Sequence, residues 1–435
     1  MVKVGILGLG VVGCGTLTVL RRNYPAITSR AGTDIQVIHA AVRQLNKNRP
    51  CDTDGIRLTE QPLDVVTNPE VDVVIELMGG IDIARECVMT AMQHGKSVIT
   101  ANKALLANHG NELFREAAKL GVSISFEAAV AGGIPIIKAI REALAGNRIQ
   151  SITGILNGTC NYMLTQMAMH GTSFADCLAE AQANGYAEAD PTMDIDGFDV
   201  AHKLAILAAL AFDSPLQLDE VSIEGIRLIT PQDIVYAAEL GYTIKHIGQA
   251  IQHPEGLECR VHPALIPAGH TLAHVNNAMN AVLLQSDALG ESLYYGAGAG
   301  AEPTASAVLA DLIQYARGLA LPVPQVSTAL PIMPASSVVN ANYLRLQALD
   351  KPGVLADITR IFGDAEISIE SIMQRQWEHS HGKIPIVIVT HPVSEARMQQ
   401  ALKRLEELPD LAPNLVRIRL ALNEGGRHGQ ISRSY

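Results

Sequence analysis

The 435-residue sequence predicts an α/β protein in three parts: a doubly wound parallel sheet, a second α+β domain with a mixed sheet, and a C-terminal βαββαβ unit. Three observations carry this. Apolar residues are 48% of the chain and aromatic ones only 4%, so the core is built from Ala, Val, Ile and Leu, as in sheets buried on both faces. Short β-branched runs alternate with helical stretches through residues 1–130, and a glycine-rich turn closes the first run. The apolar fraction excludes disorder. No stretch of about 18 apolar residues lacks a charge or a turn signal, which excludes a membrane span. A formal charge of −11 argues against nucleic acid or anionic membrane as the main partner. The six cysteines (14, 51, 87, 160, 177, 259) form no CxxC pair, so the reading is a reducing cytoplasm without a zinc or disulfide framework. Met1 runs straight into a strand, so no signal or transit peptide is expected.

In chain order, residues 1–130 hold expected strands at 4–7, 35–40, 71–77, 97–100 and 122–126, with helices at 83–94 and 111–120. The second helix ends at Gly121, a good C-cap. Residues 131–320 mix helices (135–145, 161–169, 173–184, 198–212) with strands (152–156, 243–252, 257–261). Pro322, Pro324, Pro331 and Pro334 mark a linker over 321–342. Residues 343–421 then read strand 343–348, helix 353–365, strands 367–376 and 384–390, helix 395–407 and strand 416–421. Glu378-His379-Ser380-His381 reads as a solvated turn between two strands rather than a metal site. The segment 422–435 reads as a disordered tail.

The first functional signal is Val4-Gly5-Ile6-Leu7 followed by Gly8-Leu9-Gly10-Val11-Val12-Gly13. This is the Rossmann-type dinucleotide fingerprint in its proper context, strand before and helix after. Gly8 allows the tight turn, Gly10 the approach of a pyrophosphate and Gly13 close helix–strand packing. The second strand ends at Ala41, Val42 and Arg43, after an insertion over 23–33, with Lys47 and Arg49 nearby and no carboxylate. A guanidinium there suits a 2′-phosphate, so NADP is favoured over NAD. The competing reading makes Arg43 and Lys47 a solvated loop.

Two further segments carry chemistry. Ser97-Val98-Ile99-Thr100-Ala101-Asn102-Lys103 delivers a lysine to the C-terminal end of a strand, where open parallel sheets bind ligands. Residues 185–203 then contain Glu188, Asp190, Asp194, Asp196 and Asp199 before Lys203. Asp199 and Lys203 stand i,i+4 on one helix face, beside an apolar stripe of Val200, Leu204, Leu207 and Ala211. On an open surface such a pair contributes only about 0.2–0.5 kcal/mol. In a cleft it can hold and tune a lysine for proton transfer. A calcium loop fails, because the acids do not fall at EF-hand spacing.

Together with Gly8–Gly13, the segments Ile99-Thr100-Ala101-Asn102-Lys103, 127–135, Ile155-Leu156-Asn157-Gly158-Thr159, 185–203 and Gly296-Ala297-Gly298-Ala299-Gly300-Ala301-Glu302-Pro303-Thr304 resemble homoserine dehydrogenase, in order across about residues 2–320. The C-terminal unit, with Asp350-Lys351-Pro352-Gly353-Val354-Leu355 after its first strand, resembles an ACT domain. The resemblance implies a catalytic and dimerisation role for the second domain. The implied reaction is reversible, NAD(P)-dependent interconversion of L-homoserine and L-aspartate 4-semialdehyde in threonine, methionine and isoleucine biosynthesis. By motif position, Lys203 handles the hydroxyl proton, Lys103 assists from the cofactor side and Asp199 orients Lys203. Glu188 binds the substrate ammonium and Asp194 is a further substrate contact, with Asn157-Gly158-Thr159 nearby. Gly79 and the loop ending at Gly300 approach the cofactor.

Glu127-Ala128-Ala129-Val130-Ala131-Gly132-Gly133-Ile134 is similar to the family's monovalent-cation site, which implies carbonyl ligands for an ion such as Na+ from Glu127, Val130, Gly132 and Ile134. The residues alone read equally as a small-residue turn before a helix. The ACT resemblance implies an amino-acid effector, L-threonine, bound near 350–355, and a homo-oligomer, dimer or tetramer. Two rivals differ in kind. One is an amino-acid-sensing protein on an inactive dehydrogenase scaffold, which should have lost its lysines. The other is a different two-domain NADP oxidoreductase, which should lack the Glu188-to-Lys203 spacing. Both lysines and the spacing are present.

Overall fold

A computed structural model of the chain describes residues 1–319, 330–374, 383–413 and 415–422. The expectations placed on Pro322, Pro324, residues 375–382 and the tail from 423 fall outside them.

Six strands form the first sheet: β1 (Val2–Leu7), β2 (Ile35–Ala41), β3 (Arg57–Thr59), β4 (Val73–Glu76), β5 (Ser97–Thr100) and β6 (Ile124–Ser125). Their order is β3-β2-β1-β4-β5-β6, and every pairing is parallel. The order reverses between β1 and β4, which is where such sheets hold a dinucleotide. β3 was not among the expected strands. The stretch read as an insertion is a helix, Tyr24–Ala31, started by Pro25 in its first turn and stopped by Gly32 at φ 72°. The helix expected from 111 already begins at Lys103, because the Asn102 side chain caps it by accepting the Leu105 N–H at 3.0 Å.

The second sheet is larger than expected. β7 (Ile149–Ile155), β8 (Ser222–Ile223), β9 (Tyr242–His253), β10 (Gly256–Pro267), β11 (Met279–Ser286) and β12 (Gly290–Ala297) come from the middle of the chain. A short β13 (Val339–Asn340) pairs with β17 (Val393–Ser394). β14 (Asn342–Leu349), β15 (Ile369–Gln374), β16 (Lys383–Thr390) and β18 (Val416–Leu420) form the C-terminal unit, in the spatial order β18-β14-β16-β15. With its helices Val354–Asp364 and Glu395–Glu406, that is the expected βαββαβ arrangement. It does not stand apart. β18 pairs in parallel with β10 through Ala264↔Arg419 and Leu265↔Leu420, so both units share one ten-stranded sheet.

Two other features depart from expectation. The helix expected over 135–145 is a short α-helix, Ile136–Lys138, running into a π-helical turn, Ala139–Ala143. A helix at Ala301–Ala316 follows the β11–β12 hairpin and packs on the first helix, Val11–Arg22. Its Ala305, Val308 and Leu312 share a core with Val4 and Ile6 of the nucleotide-type sheet and Leu17 of the first helix. Gly15 lets the two helices meet, since a Cβ there would strike the Ala301 carbonyl.

Asp233 ties the C-terminal unit to the middle domain. Its carboxylate is fully buried and accepts from Arg345 Nε at 2.6 Å, Arg345 Nη2 at 2.9 Å and the Tyr343 hydroxyl at 3.1 Å. It also completes a capping box with Thr230. Asp233→Ala removes the carboxylate that the buried Tyr343 hydroxyl and Arg345 guanidinium share, and leaves Arg345 its 3.3 Å bond to the Thr230 hydroxyl. Denaturant titration should show a loss of about 3–5 kcal/mol in the transition reporting the C-terminal unit; a loss below 1 kcal/mol would contradict this reading.

Candidate active site

The site forms where the helix start at Lys103 meets the helix Phe198–Ala211. On the first side, β4 and β5 end together, with Glu76 opposite Thr100. The buried Glu76 carboxylate accepts from the Thr100 hydroxyl at 2.7 Å and the Met78 N–H at 2.8 Å, and burial raises its pKa. Asn102 donates to the Gly80 carbonyl at 2.7 Å while capping the helix. These bonds hold the Leu77–Gly80 turn and fix the direction in which Lys103 leaves the backbone. On the second side, Val200, Leu204 and Leu207 are fully buried, which aims Asp199 and Lys203 into the cleft.

Asp199 bridges the two sides. Its Oδ1 lies 2.8 Å from Lys103 Nζ and its Oδ2 2.8 Å from Lys203 Nζ. Oδ2 also accepts from Asn157 Nδ2 at 2.9 Å, and the same amide donates to Asp194 Oδ1 at 2.7 Å. Asn157 Oδ1 meanwhile caps the helix Gly158–His170 through the Cys160 N–H. Lys203 makes a second bond, 2.5 Å to the Leu156 carbonyl. Thr159 donates to the Tyr186 carbonyl at 2.7 Å and stands 3.2 Å from Asp194 Oδ2.

The charges separate the two lysines. Burial lowers the Lys203 pKa and Lys103 adds to the effect, outweighing Asp199. For Lys103 burial also works against the charge, but Asp199, Asp194 and Glu188 outweigh it and the pKa rises. Asp199 is held well below the usual carboxylate range: burial opposes its ionisation, and the two lysines overcome it. Burial raises Asp194. Two interacting groups driven apart in this way suit one to exchange a proton and the other to stay charged.

The five carboxylates of the acidic segment divide by role. Asp194 and Asp199 point inward. Glu188 is exposed, its charge felt by Lys103. Asp190 accepts the Thr192 N–H at 3.1 Å and Asp196 pairs with Arg227. Sequence reasoning missed two neighbours. Asn280 Nδ2 donates to the same Leu156 carbonyl as Lys203, at 2.9 Å, and its buried Oδ1 finds no partner among the described residues. His202 Nδ1 is likewise buried and unpartnered among them. Adjacency to Lys203 could have flagged His202; nothing in the spacing flags Asn280.

The glycine turn has room for a dinucleotide. Gly8 has φ 96° and donates to the Ala41 carbonyl at 2.9 Å, which brings the end of β2 beside the turn. A Cβ on Gly13 would strike the Gly8 carbonyl, whereas one on Gly10 would meet nothing within 4 Å. Val11 is 71% exposed and Val12 half-buried at the mouth of this opening. Arg43 is exposed directly after β2, Gly79 (φ 71°) is exposed after β4, and Gly300 (φ 125°) opens the helix Ala301–Ala316.

Glu127, Val130, Gly132 and Ile134 fall on one turn beside this helix. The Glu127 carboxylate is occupied, accepting the N–H groups of Ile137 at 2.9 Å and Lys138 at 2.8 Å. Among the described residues no group of three His, Cys, Asp or Glu side chains could hold a metal ion, and no helix is long and apolar enough to cross a membrane.

Homoserine dehydrogenase of Pseudomonas aeruginosa is 51% identical over 429 residues, covering 96% of this chain and 98% of that protein. The chain belongs to the homoserine dehydrogenase family. The family models agree: residues 8–127 match the NAD binding domain of homoserine dehydrogenase, 135–313 homoserine dehydrogenase itself and 342–410 the ACT domain. The Neisseria gonorrhoeae homoserine dehydrogenase is 45% identical, covering 96% of this chain and 98% of that one. The crystal structure of a homoserine dehydrogenase from Thiobacillus denitrificans superposes with a TM-score of 0.91 at 51% identity, over 96% of this chain and 98% of that chain. One of a hyperthermophilic archaeal homoserine dehydrogenase in complex with NADPH covers 74% of this chain and 99% of that one, with a TM-score of 0.61 at 25% identity. The chain is thus an oxidoreductase of this family, with a nicotinamide-dinucleotide domain and an ACT regulatory domain.

The glycine geometry separates two defects. Gly10→Ala should leave thermal stability unchanged and weaken dinucleotide binding, because its methyl group enters the pyrophosphate's space. Gly13→Ala should lower Tm as well, because its methyl strikes backbone. Scanning fluorimetry with and without dinucleotide checks both; equal Tm loss in the two variants would refute the assignment.

Proposed function

We propose that the chain interconverts L-homoserine and L-aspartate 4-semialdehyde with NADP as the preferred dinucleotide and Lys203 as the carrier of the hydroxyl proton. The observation that carries this reading is the Asp199 carboxylate 2.8 Å from each of two lysines whose pKa values move in opposite directions. A neutral lysine amine has two N–H groups and one lone pair. With Lys203 the two N–H groups are engaged by Leu156 O and Asp199 Oδ2, so the lone pair is left to take a proton from the substrate hydroxyl. In the reverse direction the ammonium returns it. Lys103 stays an ammonium and polarises the reacting oxygen from the cofactor side. Glu188, with Asp194 beside it, meets the substrate ammonium. The residues around the glycine turn fit a dinucleotide, whose bound nicotinamide exchanges the hydride with the carbinol carbon. Arg43 after β2, with no acid beside it, supports a 2′-phosphate, and the archaeal relative carries NADPH.

The 127–134 turn bends through left-handed backbone at Ala131 (φ 54°) and Gly132 (φ 50°), and with the Glu127 carboxylate already engaged, any Na+ there would take carbonyl ligands. L-threonine is the effector read for 350–355, where Gly353 (φ 98°) starts a helix without a side-chain cap and leaves backbone N–H groups for a carboxylate. β12 and β15 are the edges of the large sheet, which suits assembly into a dimer or tetramer.

Lys203→Ala should reduce L-homoserine-dependent NADP reduction by about 10²–10⁴-fold; an equally active variant removes Lys203 from the mechanism. Homoserine oxidation needs the neutral amine, so its rate should rise with pH and level off below the ordinary lysine value. Asp199→Asn removes the charge that supports the Lys203 ammonium, so that limb should move to lower pH while kcat falls. A limb that moves upward contradicts the assignment. Arg43→Ala should raise KM for NADP and leave that for NAD unchanged. L-threonine added to the full chain should slow the reaction; an unchanged rate eliminates threonine as effector.

A further inference from the structure

Cys14 and Cys51 lie together beside the cofactor opening, and neither takes part in the proposed chemistry. Cys14 follows Gly13 in the first helix and is 3% exposed; Cys51 is half-buried on the loop joining β2 to β3. Both are free thiols, and their sulfurs stand 2.6 Å apart. That is only about half an ångström beyond the ~2.05 Å of a disulfide bond. The loop between them and the sheet carries Arg43, Lys47 and Arg49. It is anchored near Cys51 by Arg21, which donates to the Asp54 carbonyl at 2.8 Å and pairs with Asp52.

We propose that Cys14 and Cys51 form a reversible disulfide when hydrogen peroxide reaches the more accessible Cys51, and that this bond weakens NADP binding by fixing the loop that carries the 2′-phosphate cations. In the first step the Cys51 sulfur attacks one peroxide oxygen, the O–O bond breaks, and the thiol proton leaves with the other oxygen as water. Cys51 is then a sulfenic acid. Cys14 attacks the Cys51 sulfur, and its own proton leaves with the hydroxyl group as a second water. Two thiols and one peroxide thus give one disulfide and two waters. Burial pushes the Cys14 thiol up to about 12, with Cys51 adding to the rise, so Cys14 is the resolving partner rather than the first to react. The bond draws the far end of the loop against the helix that begins at the glycine turn. A loop held at both ends cannot adjust Arg43 onto a 2′-phosphate.

The test uses the full chain, reduced and then treated with hydrogen peroxide. Intact mass should fall by two hydrogens, peptide mapping should join residues 14 and 51, and dithiothreitol should reverse both. KM for NADP should rise severalfold at little-changed kcat, and Cys51→Ser should abolish every effect of peroxide. Mass increments of added oxygen at Cys51 without a cross-link overturn the proposal, as does a cross-link that leaves KM for both dinucleotides unchanged. The affinity effect rests on NADP as the preferred dinucleotide. The cross-link is read by mass alone, so a preference for NAD appears instead as a cross-linked enzyme whose KM changes for NAD.

Discussion

The buried carboxylate of Asp199 is the constraint on which the site depends. An ionised carboxylate out of water is tenable only when cations and donors surround it. Asp199 has one lysine from each of two domains and an amide from a third segment. The interaction that docks the nucleotide-type sheet against the middle domain therefore also acts, with burial, on the pKa values of the two lysines. Each lysine is placed by an element that cannot easily yield. Lys103 starts a helix capped by Asn102, and Lys203 stands one turn from Asp199 on a helix whose other face is buried. Replacing Lys103 would remove the contact across the domains, and replacing Lys203 would remove the second cation from the same carboxylate.

The same docking explains the density of small residues over 127–134 and 296–301. The chain passes between the domains at both places, and the two passages touch backbone to backbone. Gly133 N–H donates to the Ala297 carbonyl at 3.0 Å, and a Cβ on Gly132 would strike Gly298. Asp311 then fastens them, accepting the Glu127 N–H at 2.9 Å and pairing with Lys138 at 3.1 Å. Side chains at these positions would force the passages apart and shift the helix Ala301–Ala316 off the first helix.

Much of this was legible in the sequence because it depends on local rules. The glycine turn, the lysine that follows β5 and the Asp199–Lys203 spacing each follow from one segment's own pattern. What was not legible depends on distant partners. The early start at Lys103 follows from an Asn cap that pattern reading passed over. β3 has three residues and takes its stability from β2. The attachment of the helix Ala301–Ala316 to the first helix rests on a Gly15 contact some 286 positions away in sequence. Asn280 joins the site only because the β11–β12 hairpin, itself unforeseen, lies beside β7.

The joined sheet has a mechanical consequence of its own. β18 meets β10 through two residue pairs, and one of them is Arg419, which forks onto Glu224 at 2.7 Å to each oxygen. Glu224 is held in turn, its N–H on the Val261 carbonyl at 2.8 Å and its carbonyl against His246 at 3.0 Å. Next to it Gly225 touches the Ile195 carbonyl so closely that a Cβ would not fit, and Ile226 donates to that carbonyl at 2.9 Å. Ile195 lies in the turn that ends at Gly197 and launches the helix bearing Asp199 and Lys203. The Glu224 side chain is 42% exposed, so its pairing with Arg419 is a geometric tether rather than a buried ion pair. Arg419 and Glu224 thus connect β18 to the turn that launches the helix bearing Asp199 and Lys203.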